Sequence, residues 1–255
     1  MDALHGRYVA QLMGMPVSLA LRGRHARDAR GGRAWAAVVR ELEEVDAVFS
    51  TYRPDSAVCR LDRGELDLRQ APAVVREVLD LAERATQVTD GWFSVWLPGP
   101  GGPRRLDPSG LVKGWAVERA AAHLADLDGT DYCLAAGGDL TCRTGDADDV
   151  PWRVGVEDPA DPARTLAVVP LLSGGCATSG DRHRGPHVVD PWSGQPARAG
   201  GSVTVVGPSL LWADVWATAG YAHGDDAARW LAEVCPLTTL VVAPDGSVRT
   251  HAPAA

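Results

Sequence analysis

The sequence has no pair of cysteines at C-x-x-C spacing. Its five cysteines (Cys59, Cys133, Cys142, Cys176 and Cys235) lie far apart. An odd count at wide intervals argues against a disulfide framework or a zinc site and points to reduced thiols. None has a neighbouring His at a recognisable spacing, which argues against a cysteine nucleophile. No window reaches eighteen uninterrupted apolar residues, so no membrane span is expected. The opening Met1-Asp2-Ala3-Leu4-His5-Gly6-Arg7 has no apolar signal-peptide core and no lipoprotein-type cysteine, and a cytoplasmic location is expected. Basic charge is also short. Lys and Arg number 25 against 33 Asp and Glu, a net charge of -8. Nucleic acid is thereby disfavoured as the main partner, since phosphate binding needs a basic face. A small phosphate ligand is still compatible if a local cation or helix N-terminus offsets the charge. There is no internal repeat, no long linker and no Gly-x4-Gly-Lys-[Ser/Thr] phosphate loop.

What is present is an ordinary globular chain. Its 255 residues are 45% hydrophobic and 23% charged, enough for a normal core, here read as one domain over residues 1–255. Tyr8 to Leu21 alternates as a strand, interrupted at Met13-Gly14-Met15-Pro16 by a bulge, by the close approach of a ligand, or by a plain edge irregularity. Ala34 to Phe49 and Pro72 to Val88 carry apolar residues at helical spacing. Between them, Ser50 to Ser56 is a loop whose Tyr52 and Arg53 either line a site or cover the surface. Trp92-Phe93-Ser94-Val95-Trp96 supplies core or the wall of a slot for a flat ring. Leu97 to Arg105 is rich in Pro and Gly and reads as loop.

A turn at Leu106–Trp115, capped by Ser109 or a nearby residue, feeds a helix from Ala116 to Leu127. With Lys113 in its first turn, that is a favourable place for an anion. Short strands follow at Asp131–Leu140, broken by Gly137-Gly138, then at Trp152–Glu157, Leu166–Leu172, Gly175–Ser179, Val203–Val206 and Thr238–Val242. Helices are expected over Ser209–His223 and Asp225–Val234, and a loose tail from His251. Hairpin-like strand pairs with separate helices indicate an α+β fold with a mostly antiparallel sheet and flanking helices.

Two patterns suggest chemistry. Asp214 and Thr218 are four apart, so both oxygens fall on one helix face and form part of a nest for a hard cation such as Mg²⁺. In Asp181–Gly194, turn residues hold His187 and Asp190 between apolar segments. His187 brings an imidazole, the side-chain type that most often serves as a general base. Asp190 either orients it or caps the turn.

In order along the chain stand Met13-Gly14, Phe49-Ser-Thr-Tyr-Arg-Pro-Asp-Ser56, Asp90-Gly-Trp-Phe93, Leu106-Asp107 through Lys113-Gly114, Ala136-Gly-Gly-Asp139, Trp152-Arg-Val-Gly-Val156, Ala177-Thr-Ser-Gly180, His187-Val-Val-Asp-Pro191 with Gly194, and Ala213-Asp214 to Ala217-Thr218. Together they resemble the ApbE family of FAD:protein FMN transferases. The resemblance implies Mg²⁺-dependent cleavage of the FAD pyrophosphate, with FMN passing to a Thr or Ser hydroxyl of an acceptor protein and AMP leaving. It implies flavin contacts from Met13, Tyr52, Trp92, Phe93, Ser94, Asp107, Lys113 and Val189. The metal would be held by the Gly110 carbonyl, Asp214, Thr218 and the Ala217 backbone, with His187 as base. Three positions depart from the family's pattern. Ser94 stands where an Asp is common, Met15 where a Thr is common, and Pro108-Ser109 where the family places a Gly. Without the usual export signal, the acceptor would be cytoplasmic or the branch divergent. Two other readings use the same residues: an FAD pyrophosphatase yielding FMN and AMP, and a non-catalytic flavin-binding protein.

Overall fold

The computed structural model describes residues 5–99, 102–145, 150–182, 185–197 and 200–253. The first half runs β1 (His5–Leu12), β2 (Met15–Gly23), α1 (Ala29–Phe49), α2 (Ala57–Asp62), α3 (Ala73–Val88), β3 (Trp96–Gly99), β4 (Gly102–Leu106) and α4 (Ser109–Ala121). The second half runs β5 (Thr130–Ala136), β6 (Asp139–Arg143), β7 (Trp152–Glu157), β8 (Thr165–Leu171), β9 (Ser173–Gly180) and β10 (Ser202–Gly207). It ends with α5 (Leu210–His223), α6 (Ala227–Val234), β11 (Thr238–Val242) and β12 (Val248–His251).

An eight-stranded sheet in the order β1-β2-β5-β6-β9-β10-β11-β12 forms the frame. Every neighbouring pair in it is antiparallel. The α+β, mostly antiparallel fold is therefore as the sequence indicates. β3–β4 and β7–β8 form separate two-stranded arms. The alternation of β5, with Thr130, Tyr132, Leu134 and Ala136 buried, turns one sheet face toward the helices. Among the described residues no helix is long and apolar enough to cross a membrane.

The helix that organises the core is α5. Eleven of its residues are buried, including Leu210, Val215, Trp216 and Tyr221, so it is apolar around most of its circumference. Such a helix must be covered on several sides, and it packs on β9 and β10 and against α4. Two glycines permit this. A Cβ on Gly175 of β9 would lie 2.4 Å from the Leu210 Cα, and one on Gly114 of α4 would lie 3.1 Å from the Asp214 Cβ. The start of α5 is satisfied from outside the helix. Glu118 of α4 accepts from the Leu211 N–H at 3.0 Å and from the Ser209 hydroxyl at 2.8 Å.

Several local expectations change. Met13-Gly14 is not a bulge but the tip of a hairpin, with Leu12 paired to Met15. Both residues have positive φ, 52° and 71°, which matches the twist of a two-residue turn. The Pro/Gly-rich run after Trp96 forms the β3–β4 arm rather than plain loop; residues 100 and 101 lie outside the described set. Short α2, capped by Ser56, was not legible in the sequence because six residues are too few to show a period. α4 starts at Ser109, seven residues before the expected Ala116, so Lys113 sits in its second turn. Asp107, not Ser109, supplies the acceptor there, taking the Ser109 N–H at 3.2 Å and its hydroxyl at 2.6 Å. His251 pairs with Thr239 in β12 instead of opening a loose tail; residues 254 and 255 lie outside the described set.

Candidate active site

One cavity of about 1060 Å³ opens over the sheet, large enough for a dinucleotide. Its walls include the β1–β2 tip, the loop after α1, the turn after α3, the first turns of α4, the β5–β6 turn, the end of β7, the inner face of α5, and the stretch from β9 to β10. Met13, Tyr52, Trp92, Phe93, Ser94, Asp107, Gly110, Lys113, His187, Val189, Asp214 and Thr218 all line it. Of the residues proposed from sequence, only Ala217 does not; it is fully buried inside α5.

Local chemistry explains how these side chains reach one space. Met13 is a non-glycine residue in the left-handed region, a conformation that costs about 1–3 kcal/mol and recurs at ligand sites. α3 ends in a left-handed turn at Asp90 and Gly91, with the Gly91 N–H reaching back to the Thr86 carbonyl at 2.8 Å. The buried Thr89 hydroxyl donates to the Ala85 carbonyl (2.7 Å) and accepts the Phe93 N–H (3.0 Å), which fixes Trp92 and Phe93 just beyond it. Trp92 packs edge-on against Trp192 at 4.3 Å and is backed by His223 at 4.4 Å. His223 in turn stacks on Trp230 at 4.9 Å. Burial in this aromatic stack lowers the His223 pKa from its ordinary value. Ser94 is occupied locally: its hydroxyl takes the Trp96 N–H at 3.1 Å and faces the Trp96 carbonyl at 3.2 Å. Tyr52 stands almost wholly exposed at the rim.

The floor carries the charge. Lys113 is in ion-pair contact with Asp139 and lies 3.2 Å from the Asp214 Oδ1. Both carboxylates are essentially buried, so each depends on a counter-charge or on hydrogen bonds to stay ionised. The other Asp139 oxygen accepts the Thr178 N–H at 2.9 Å. Beside them, the Thr218 hydroxyl lies 3.3 Å from the Ser179 hydroxyl, and Thr178 Oγ1 lies 2.9 Å from Thr204 Oγ1. Lys113 is thus tied to two carboxylates rather than presented at a helix N-terminus, as the sequence had suggested. The donors are carboxylate and hydroxyl oxygens, which fit a hard cation such as Mg²⁺ rather than a soft one. Among the described residues no three His, Cys, Asp or Glu gather as a ligand set. A divalent ion here would complete its shell with hydroxyl, carbonyl, water or substrate oxygens.

His187 lies on an exposed loop at the cavity edge. Its Nδ1 is 2.8 Å from the Gly185 carbonyl, which only accepts, so Nδ1 carries the proton and Nε2 presents the lone pair. Asp190 does not orient it. That carboxylate takes the Trp192 N–H at 2.9 Å and the Ser193 hydroxyl at 2.7 Å, so it serves the turn. The loop closes on itself through the Val189–Pro196 bridge and leans on the β3–β4 arm, where a Cβ on Gly194 would meet Pro98 at 2.9 Å. His183 and Arg184 of this stretch lie outside the described residues.

Asp139, Thr178 and Ser179 are floor residues that sequence reasoning quoted inside motifs without giving them a role. A compositional signal marked their neighbourhood. The chain has one lysine, Lys113, among twenty-four arginines. An ammonium is a compact point charge that a planar guanidinium does not replace, so the one lysine is a position at which the two are not interchangeable.

The model of the ApbE family matches residues 13–98 and 96–241. An FAD:protein FMN transferase of Vibrio cholerae serotype O1 is 28% identical over 263 residues, covering 81% of this chain and 79% of that protein. One from Escherichia coli K12 is 30% identical over 151 residues, 55% of this chain and 43% of that protein, so the match spans under half the length of that relative. An ApbE protein structure from Thermotoga maritima superposes with a TM-score of 0.83 at 20% identity, covering 97% of each chain.

Proposed function

This chain belongs to the ApbE family, and we propose that it is an FAD:protein FMN transferase that moves FMN from FAD to a Thr or Ser hydroxyl of an acceptor protein. The observation that carries the reading is the convergence of Asp214, Thr218, Lys113 and His187 on one dinucleotide-sized cavity. In the reaction, the acceptor hydroxyl oxygen bonds to the FMN-side phosphorus and the phosphoanhydride bond breaks. Its electron pair leaves on the AMP oxygen, and the hydroxyl proton goes to His187 Nε2. The Nδ1 contact with the Gly185 carbonyl keeps that lone pair available and supports the imidazolium that results. Met13, Tyr52, Trp92, Phe93, Asp107 and Val189 would hold the flavin. Ser94, engaged with Trp96, would contribute little charge to it. Asp214, Thr218 and the Gly110 carbonyl would hold Mg²⁺, with the Ala217 backbone as a further candidate. The ion, when bound, neutralises phosphoryl charge and aligns the pyrophosphate.

The test is incubation with FAD, Mg²⁺ and a Thr-containing acceptor protein, read as flavin fluorescence on the acceptor after denaturing electrophoresis and as AMP released. Label and AMP in equal amounts are expected, with His187→Ala slower by about 10²–10⁴-fold. A dark acceptor with folded, FAD-loaded enzyme refutes the transferase. AMP without label would favour the pyrophosphatase, and bound FAD without AMP the flavin-binding protein.

A further inference from the structure

The floor places two buried carboxylates around a single ammonium. Lys113 touches Asp139 and lies 3.2 Å from Asp214, and the three residues come from three elements, α4, β6 and α5. Their formal charges sum to minus one. The two carboxylates are not equivalent. Asp139 has one oxygen on the Thr178 N–H and the other on Lys113, so both its oxygens are engaged by protein donors of the sheet and α4. Asp214 shares its helix face with the Thr218 hydroxyl, one turn on, and pairs with the ammonium at the longer distance. A divalent cation needs oxygens at about 2.1 Å. An ammonium beside the same carboxylate both repels such an ion and occupies part of the space it requires.

We propose that the Lys113 ammonium and the divalent ion compete for Asp214, and that Asp139 is the positioning residue that retains the ammonium when the ion takes that carboxylate. Lys113 thereby stays in the cavity as a second, fixed positive charge facing the pyrophosphate. An arginine does not substitute, because its planar fork cannot pivot between two carboxylates as a point charge does. The inference rests on the Mg²⁺ reading of Asp214 and Thr218.

Because these 255 residues contain one lysine, labelling with ¹³Cε,¹⁵Nζ-lysine gives one side-chain signal from this chain. Mg²⁺ is titrated into it without FAD, with the melting temperature followed in parallel. The expected result is a shift of the Lys113 signal that saturates at the same Mg²⁺ concentration as the rise in melting temperature. In Asp139→Asn, added Mg²⁺ should loosen the hold on the ammonium, and its protons should exchange with water faster than in the wild type under the same Mg²⁺. Lys113→Met should bind Mg²⁺ on the order of tenfold more tightly or better. If Mg²⁺ stabilises the protein while the Lys113 signal stays fixed, competition is overturned and the metal reading survives. The same holds if Lys113→Met folds and binds Mg²⁺ no more tightly. If Mg²⁺ changes neither the signal nor the melting temperature, the metal reading itself fails and the inference with it. Should Lys113→Met not fold, the wild-type titration still decides.

Discussion

Replacing Gly175 by Ala tests whether the seat of α5 is as close as the site requires. The added methyl would lie 2.4 Å from the Leu210 Cα, 2.6 Å from its N and 2.7 Å from its Cβ. Carbon contacts are comfortable at about 3.5–4.0 Å, so sheet and helix must part by roughly 1 Å. The obstructing atoms are mostly backbone, which no rotamer change relieves. Nor is α5 free to retreat, since α4 packs on it at Gly114, where a Cβ would already meet the Leu210 carbonyl and the Asp214 Cβ at 3.1 Å each. Overpacking of this kind costs about 1–3 kcal/mol, occasionally more. The backbone entropy recovered on replacing a strand glycine returns about 0.5–1 kcal/mol. Because the clash is deep and mostly with backbone, the upper end of that cost applies, so a net loss of about 2 kcal/mol is expected, and at about 2–4 °C per kcal/mol the midpoint should fall by about 4–8 °C in calorimetry. Gly114→Ala is the contrasting case. Its shortfall is a few tenths of an ångström and helix propensity returns about 1 kcal/mol, so the net change should stay within about 1 kcal/mol of zero. Its effect should appear in Mg²⁺ binding, because the methyl presses on Asp214. A Gly175→Ala midpoint within about 2 °C of wild type, or a larger fall in Gly114→Ala, would refute this account of the packing.

Three further outcomes are expected. Glu118→Ala removes the acceptor for the Leu211 N–H and the Ser209 hydroxyl at the start of α5 and should lower stability by about 1–2 kcal/mol; a urea midpoint equal to wild type would contradict it. Burial holds the His223 pKa below its ordinary 6.5, so the unfolded chain binds a proton that the folded one refuses. Stability should be full above pH 6.5 and fall as the pH drops below it, and His223→Phe should show a shallower fall in melting temperature between pH 7.5 and 5.5; identical slopes would count against it. Burial also raises the thiols of Cys133 and Cys176 to about 12 and those of Cys142 and Cys235 to about 11. At pH 8 their thiolate fractions are about 10⁻³ or less, so a disulfide reagent should label at most Cys59 until the protein is unfolded; rapid native labelling of two or more thiols would overturn this.

Much of the helix and strand content was legible because burial imposes periods on the chain. The alternation of Val17, Leu19 and Leu21 and the spacing of Val75, Val78, Ala82 and Ala85 both match the buried faces observed. The failures were local. Two arms built on Pro, Gly and Arg bury too little to carry an alternating pattern, as in β4, where four of five residues are exposed. The start of α4 was hidden because Ser109-Gly110 reads as turn chemistry, while its neighbours Leu111, Val112 and Trp115 are buried by contacts that no local window contains.

Residue type and order alone carried the family resemblance, the Asp214/Thr218 spacing on one helix face and the expectation of an imidazole base. A helix period is a local property, so two oxygens four residues apart meet wherever the helix lies. Which charge faces Asp214 was a tertiary matter. Lys113, Asp139 and Asp214 are far apart in sequence, and their contact exists because Gly114 and Gly175 let α4, α5 and the sheet close on one another. The role of Asp190 was decided the same way. Only the folded loop shows its carboxylate turned to Trp192 and Ser193, leaving the Gly185 carbonyl to set the tautomer of His187.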